Sequence, residues 1–150
     1  MGGRILLALT SALIFECSAT LNDFRDSIRV ADIPTITGLG VVNSGFVSGR
    51  GADGKGPAWW AIESGADPKT VGLLLALGVD FLTKEKDSHN RGPLDYLKDP
   101  LTKPLLASWE KEAMKAKKVV HTVKQQLVEK LQDQIHGEKA LAEELDSFDE

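Results

Sequence analysis

Apolar residues along this chain recur at helical spacing, and glycine and proline interrupt them at regular points. Leu21, Phe24, Ile28 and Ala31 share one face of a short amphipathic helix. Pro34 should end that helix by Ile33, because the residue before a proline is pushed out of the α region. Thr35 to Gly51 holds Gly38, Gly40, Gly45 and Gly49 among β-branched residues, and reads as a loop with a brief strand around Val41-Val42. Gly56-Pro57 is a favourable helix start, so Ala58 to Glu63 reads as a short helix. Ser64-Gly65-Ala66-Asp67 is a turn, with Gly65 suited to the left-handed residue after a helix end. Asp67 caps a second helix running through Leu73-Leu74-Leu75 to about Leu77, where Gly78 stops it. Val79 to Asn90 is a polar loop, and Gly92-Pro93 opens another short helix. Pro104 to Leu145 is helical in two pieces with a break or kink at Gly137, where a mid-helix glycine costs about 1 kcal/mol against alanine. Val120, Val123, Leu127, Leu131 and Ile135 form an apolar stripe there, with Lys117, Lys124, Lys130 and Asp133 off it. The acidic tail Glu143 to Glu150 is expected to fray.

Two of these stretches echo each other. Asp53-Gly54-Lys55-Gly56-Pro57-Ala58-Trp59-Trp60-Ala61 is answered by His89-Asn90-Arg91-Gly92-Pro93-Leu94-Asp95-Tyr96-Leu97, with the prolines 36 residues apart. That spacing belongs to stacked repeat units. Gly54 and Asn90 hold the same place before each proline, and both residue types tolerate a positive φ.

The repeated blocks resemble the ankyrin repeat. Gly56-Pro57-Ala58-Trp59-Trp60-Ala61 stands where that family has Thr-Pro-Leu-His-x-Ala. Gly65 falls at its turn glycine, Leu73-Leu74-Leu75 at its leucine triplet one residue late, and Gly78-Val79-Asp80 at its Gly-Ala-Asp. Gly92-Pro93-Leu94-Asp95-Tyr96-Leu97 opens a second unit, in which Lys98-Asp99-Pro100 replaces the turn glycine and Leu105-Leu106 arrives early. The likeness spans residues 52–97. It implies an all-α fold, an ankyrin-like helix-turn-helix stack followed by a long C-terminal helix. Stacks of this kind need about three units, so both ends require caps. The helix at Leu21–Ala31 would cover the front, and Leu105, Leu106 and Trp109 the back. In the family pattern Ala58 and Ala61 face the stack, and the position held by Trp60 and Tyr96 faces a concave groove; Trp59 is expected to fill the core, as a tryptophan usually does.

The expected organisation is a signal peptide at 1–19, a capping helix at 20–33, a glycine-rich loop at 34–51, ankyrin-like repeats at 52–109 and a helical extension with an acidic tail at 110–150. The signal peptide rests on Arg4, the apolar run Ile5–Phe15 and the small residues Cys17-Ser18-Ala19 before a cut after Ala19. The run is about eleven residues, short of the roughly 17–25 a membrane span needs. A buried N-terminal helix and an uncleaved anchor are the alternatives. Cleavage would remove Cys17, the only cysteine, and leave a chain with no disulfide and no membrane span. The ending is not of the endoplasmic-reticulum retention type.

Net charge of −4 gives no general attraction to nucleic acid. Charge is nonetheless uneven, since Lys111, Lys115, Lys117, Lys118 and Lys124 outweigh Glu112 while the chain past His136 is strongly acidic. His89, His121 and His136 lie far apart, and no zinc spacing, nucleophile elbow, phosphate loop or dinucleotide fingerprint occurs. No catalytic residue, metal ligand or cofactor is expected. The expected activity is protein binding in the secretory pathway, either the endoplasmic reticulum lumen or outside the cell. Its contact residues would be Trp60, Glu63 and Tyr96 in the groove and Lys84, Lys86, His89 and Arg91 on the loop. The alternative is a subunit that docks into a larger assembly, or a coiled coil, through the C-terminal helix.

Overall fold

A computed structural model describes the backbone of residues 19–148 and the side chains of residues 19–137. The predicted signal peptide lies outside this range apart from Ala19. Among the described residues the secondary structure is entirely helical. It comprises α1 (Leu21–Arg29), α2 (Ile33–Val42), α3 (Pro57–Glu63), α4 (Pro68–Leu77) and α5 (Lys103–Phe148), with 3-10 turns at Ser44–Phe46 and Pro93–Tyr96.

Local chemistry sets each boundary. Thr20 and Asp23 cap α1 reciprocally: the Asp23 amide donates to the Thr20 hydroxyl at 3.3 Å, and the Thr20 amide donates to the Asp23 carboxylate at 2.7 Å. The chain ends α1, α3 and α4 in one way. The amide after the left-handed residue reaches back five positions in each case: Asp32 to Ser27, Ala66 to Ala61 and Val79 to Leu74, all at 2.9–3.0 Å. Ala31, Gly65 and Gly78 supply the left-handed residue, with φ of 54°, 117° and 103°.

The stretch expected to be loop at 34–51 contains a ten-residue helix instead, and no strand forms at Val41-Val42. Pro34 does not stop a helix here; it sits in the first turn of a new one, where its missing N–H is not needed. Asp32 caps that turn, accepting the Thr35 amide at 3.4 Å and the Thr35 hydroxyl at 2.7 Å. Gly40 lies where α4 comes close. A Cβ on Gly40 would stand 2.7 Å from Leu77 Cδ1. Nor is α5 broken at Gly137, which lies inside one continuous 46-residue helix about 69 Å long. Strong helix formers on both sides outweigh a cost of about 1 kcal/mol.

The helices stack in two layers of three rungs. α1 lies on α3, and α3 on the 3-10 turn Pro93–Tyr96; in the other layer α2 lies on α4, and α4 on the start of α5. The expected single capping helix at 20–33 is thus half of a complete helical hairpin, α1–α2. The third rung is unequal. Where α3 stands in the middle rung, the third has one 3-10 turn, because Lys98-Asp99-Pro100 cannot continue a helix.

The core runs through all three rungs. Phe24, Ile28, Ile36, Trp59, Trp60, Val71, Leu74, Phe81 and Trp109 are buried. Phe24 stacks on Phe46 at 5.7 Å, and Phe81 meets Trp109 at 5.9 Å. The expected role of Trp109 as a plug is matched by its full burial. The tightest approach to backbone is at Gly72, where an added Cβ would stand 2.6 Å from Glu112 Cβ and 2.7 Å from the Ala113 amide nitrogen. Because one obstacle is backbone, the neighbour cannot swing aside. Gly72→Ala should therefore destabilise the protein by about 1–3 kcal/mol in chemical denaturation, although the same change at an open helix site stabilises by about 1 kcal/mol.

Candidate interaction surface at the loop tips

The echo in the sequence becomes a repeated hydrogen-bond pattern. In the loop before α3, the Gly51 amide donates to the Lys55 carbonyl at 2.9 Å, and the Gly54 amide to the Gly51 carbonyl at 3.0 Å. In the loop before the second 3-10 turn, the Asp87 amide donates to the Arg91 carbonyl at 2.9 Å, and the Asn90 amide to the Asp87 carbonyl at 3.0 Å. Gly54 and Asn90 have φ of 77° and 59°, as their shared position requires. The loops are joined edge to edge, since the Ser88 amide donates to the Asp53 carbonyl at 2.9 Å. A Cβ on Gly54 would come within 3.1 Å of Asp87 Cα, so that glycine answers both a conformation and a contact.

Asp87 organises the second loop. Its side chain is only 7% exposed, and one carboxylate oxygen accepts the amides of His89 and Arg91, both at 2.9 Å. The other oxygen accepts the Tyr96 hydroxyl. Burial alone would raise the Asp87 pKa, but the Tyr96 hydroxyl and the two amides outweigh it and hold the carboxyl below its ordinary value. The same hydrogen bond, with burial, raises the Tyr96 phenol above its ordinary value, against the opposing charges of Lys55 and Arg91. Lys55 lies 4.7 Å over the Tyr96 ring and pairs with Glu63 at 2.6 Å. The hydrogen bond to Glu63 lifts the Lys55 pKa despite the opposing effect of burial.

Trp59 fastens the loops to the stack. Its indole N–H donates to the Arg91 carbonyl at 3.1 Å, and the Arg50 guanidinium lies 4.1 Å over its ring. Arg50 also pairs with Glu85 of the second loop. Between these loops and the end of α4 is a cleft of about 220 Å³, lined by Arg50, Trp59, Val79, Asp80, Thr83 and Glu85.

The residues expected to contact a partner divide accordingly. Glu63, Tyr96 and Arg91 gather around Lys55 and Asp87, with the Arg91 guanidinium 5.9 Å over the Tyr96 ring. Lys86 lies 4.0 Å from Asp95. Lys84, Lys86, His89 and Arg91 are exposed on the loop. Trp60 is not a groove residue. It is 3% exposed, because α3 has seven residues and every one from Pro57 to Ile62 is buried between α1, α4 and the 3-10 turn. Sequence reading missed Asp87, Lys55 and Arg50. Asp87-Ser88-His89-Asn90 did carry one signal, an acidic residue positioned to cap its own turn.

Among the described residues, no group of three or more His, Cys, Asp or Glu side chains could hold a metal ion. None of the described helices is long and apolar enough to cross a membrane. No protein-family model, curated protein or solved structure matches the chain.

Trp60→Ala should cost about 3–5 kcal/mol, measured by chemical denaturation, as a large side chain leaves the core. The Asp87–Tyr96 link gives a second expectation, with two signs. The folded-state pKa of Asp87 is depressed, so its contribution is present above the ordinary carboxyl value near 4 and is lost as pH falls through the folded value. That of Tyr96 is raised, so its contribution is complete below about 10 and is lost as pH rises through the folded value. Thermal midpoints measured across pH should fall at both ends, and Tyr96→Phe should flatten the alkaline fall.

Proposed function

We propose that this chain is a short ankyrin-like stack that binds an acidic segment of a protein partner through its joined loop tips, without catalysis, in the secretory pathway. The observation that carries this reading is the hydrogen-bond pattern of the two loops, repeated with a 36-residue offset and linked edge to edge. A rigid pair of tips presents side chains with little ordering cost on binding.

The charge of the surface sets the chemistry of the partner. Asp87 spends its carboxylate inside the loop, and Glu85 is engaged by Arg50. The second tip displays Lys84, Lys86 and Arg91, with His89 beside them and Asp95 4.0 Å from Lys86, so its exposed charge is cationic on balance. Cations on such a rim speed encounter with an acidic partner and make binding depend on salt. The secretory placement rests on the sequence of residues 1–19.

Two measurements test this. Partners should be captured on the wild-type chain and lost, or weakened at least about tenfold, on a Lys84→Glu/Lys86→Glu/Arg91→Glu variant whose thermal midpoint is unchanged. Equal capture by both would reject the loop surface. Sequencing the N-terminus of the protein isolated from its own cells should begin at Thr20; a sequence beginning at Met1 would reject the processing.

A further inference from the structure

We propose that the cleft between the loop tips and the end of α4 binds a glutamate side chain of the partner's acidic segment at Arg50, in exchange for Glu85. The proposal rests on the loop-tip reading for the source of that side chain and adds the place where it is held. Arg50 is fixed without help from Glu85. Its guanidinium lies 4.1 Å over the Trp59 ring, and Nη1 donates to the Gly54 carbonyl at 2.5 Å. Gly56 leaves room for the stem, since a Cβ there would stand 3.1 Å from Arg50 Cδ. Glu85 takes the remaining terminal nitrogen, Nη2. Its side chain is 72% exposed against 27% for Arg50, and the described residues give it no other hydrogen bond or ion pair. A carboxylate held this loosely exchanges readily with another.

The cleft sets the size and chemistry of its occupant. At about 220 Å³ it is below the roughly 300–1,000 Å³ of pockets that enclose a drug-sized ligand, and it suits a single side chain. Val47, Pro57 and Val79 in its wall suit methylenes, and the planar Arg50 fork suits a carboxylate, which together describe glutamate. Asp80 also lines the cleft, its carboxylate accepting the Leu82 amide at 2.9 Å. With one guanidinium against two carboxylates in the lining, a third would be repelled, so the incoming one replaces Glu85 and does not join it. A phosphate would carry in more negative charge than Glu85 takes out, which favours the carboxylate. Lys84 and Lys86 flank Glu85 in the chain, so a segment drawn to those cations arrives beside the cleft.

Nuclear magnetic resonance of the whole isotope-labelled chain tests the exchange, with N-acetylglutamate α-amide as the ligand and its glutamine counterpart as the control. The Trp59 indole N–H signal reports the cleft, because the Arg50 guanidinium lies on that ring. The glutamate compound should shift the signal saturably, and the glutamine compound should not. Glu85→Gln removes the occupant and leaves Arg50 in place, so it should tighten binding about two- to fivefold, the factor an exposed ion pair contributes. Arg50→Gln should abolish saturation. Equal shifts from both compounds, binding weakened or unchanged by Glu85→Gln, or saturation kept in Arg50→Gln would each overturn the proposal. The loop-tip reading fails separately. Partner capture indifferent to the rim cations rejects that reading, whereas a wild-type chain that the glutamate compound never saturates rejects the cleft even where capture needs the rim.

Discussion

The close contact of α4 with α5 at Gly72 is the constraint on which the stack depends. A helical hairpin buries its apolar side only when another hairpin lies on it, so the last rung of any such ladder is the weak one. In this chain the third rung has lost one of its helices to a single 3-10 turn. α5 compensates by approaching α4 until no side chain fits between them at Gly72, and by burying Trp109 and Ala113. Backbone proximity of this kind adds dispersion contacts along the whole interface. It also fixes the orientation of the long helix, because a ridge beside a glycine has one groove to occupy.

A second, polar interaction organises the opposite edge. The loop tips would be costly as free chain, since each holds a residue at positive φ and several backbone amides with no helix to satisfy them. The chain solves this twice by the same internal hydrogen bonds, then joins the two solutions through Ser88 and Asp53. Asp87 goes further, trading its hydration for two amides and a phenol. The indole of Trp59 ties this polar layer to the apolar one, with its ring in the core and its N–H on the Arg91 carbonyl. Stability and loop geometry are therefore coupled, and a change in Asp87 or Tyr96 acts on both.

The sequence by itself determined the local features. The helix starts at Pro57 and Pro68, the left-handed ends at Gly65 and Gly78 and the matched positive φ of Gly54 and Asn90 are all set by the conformational range of single residues, and the paired Gly-Pro blocks gave the period. What it could not determine was which side of each helix would be covered. Trp60 sits where a repeat would face a groove, yet α3 is buried from Pro57 to Ile62, and only the arrangement of α1, α4 and the 3-10 turn decides that. The same holds for Ile33–Val42, whose glycines read as loop. The segment forms helix with Ile36 and Leu39 buried in the core, a tertiary energy that outweighs the weak propensity of glycine and that no local pattern carries.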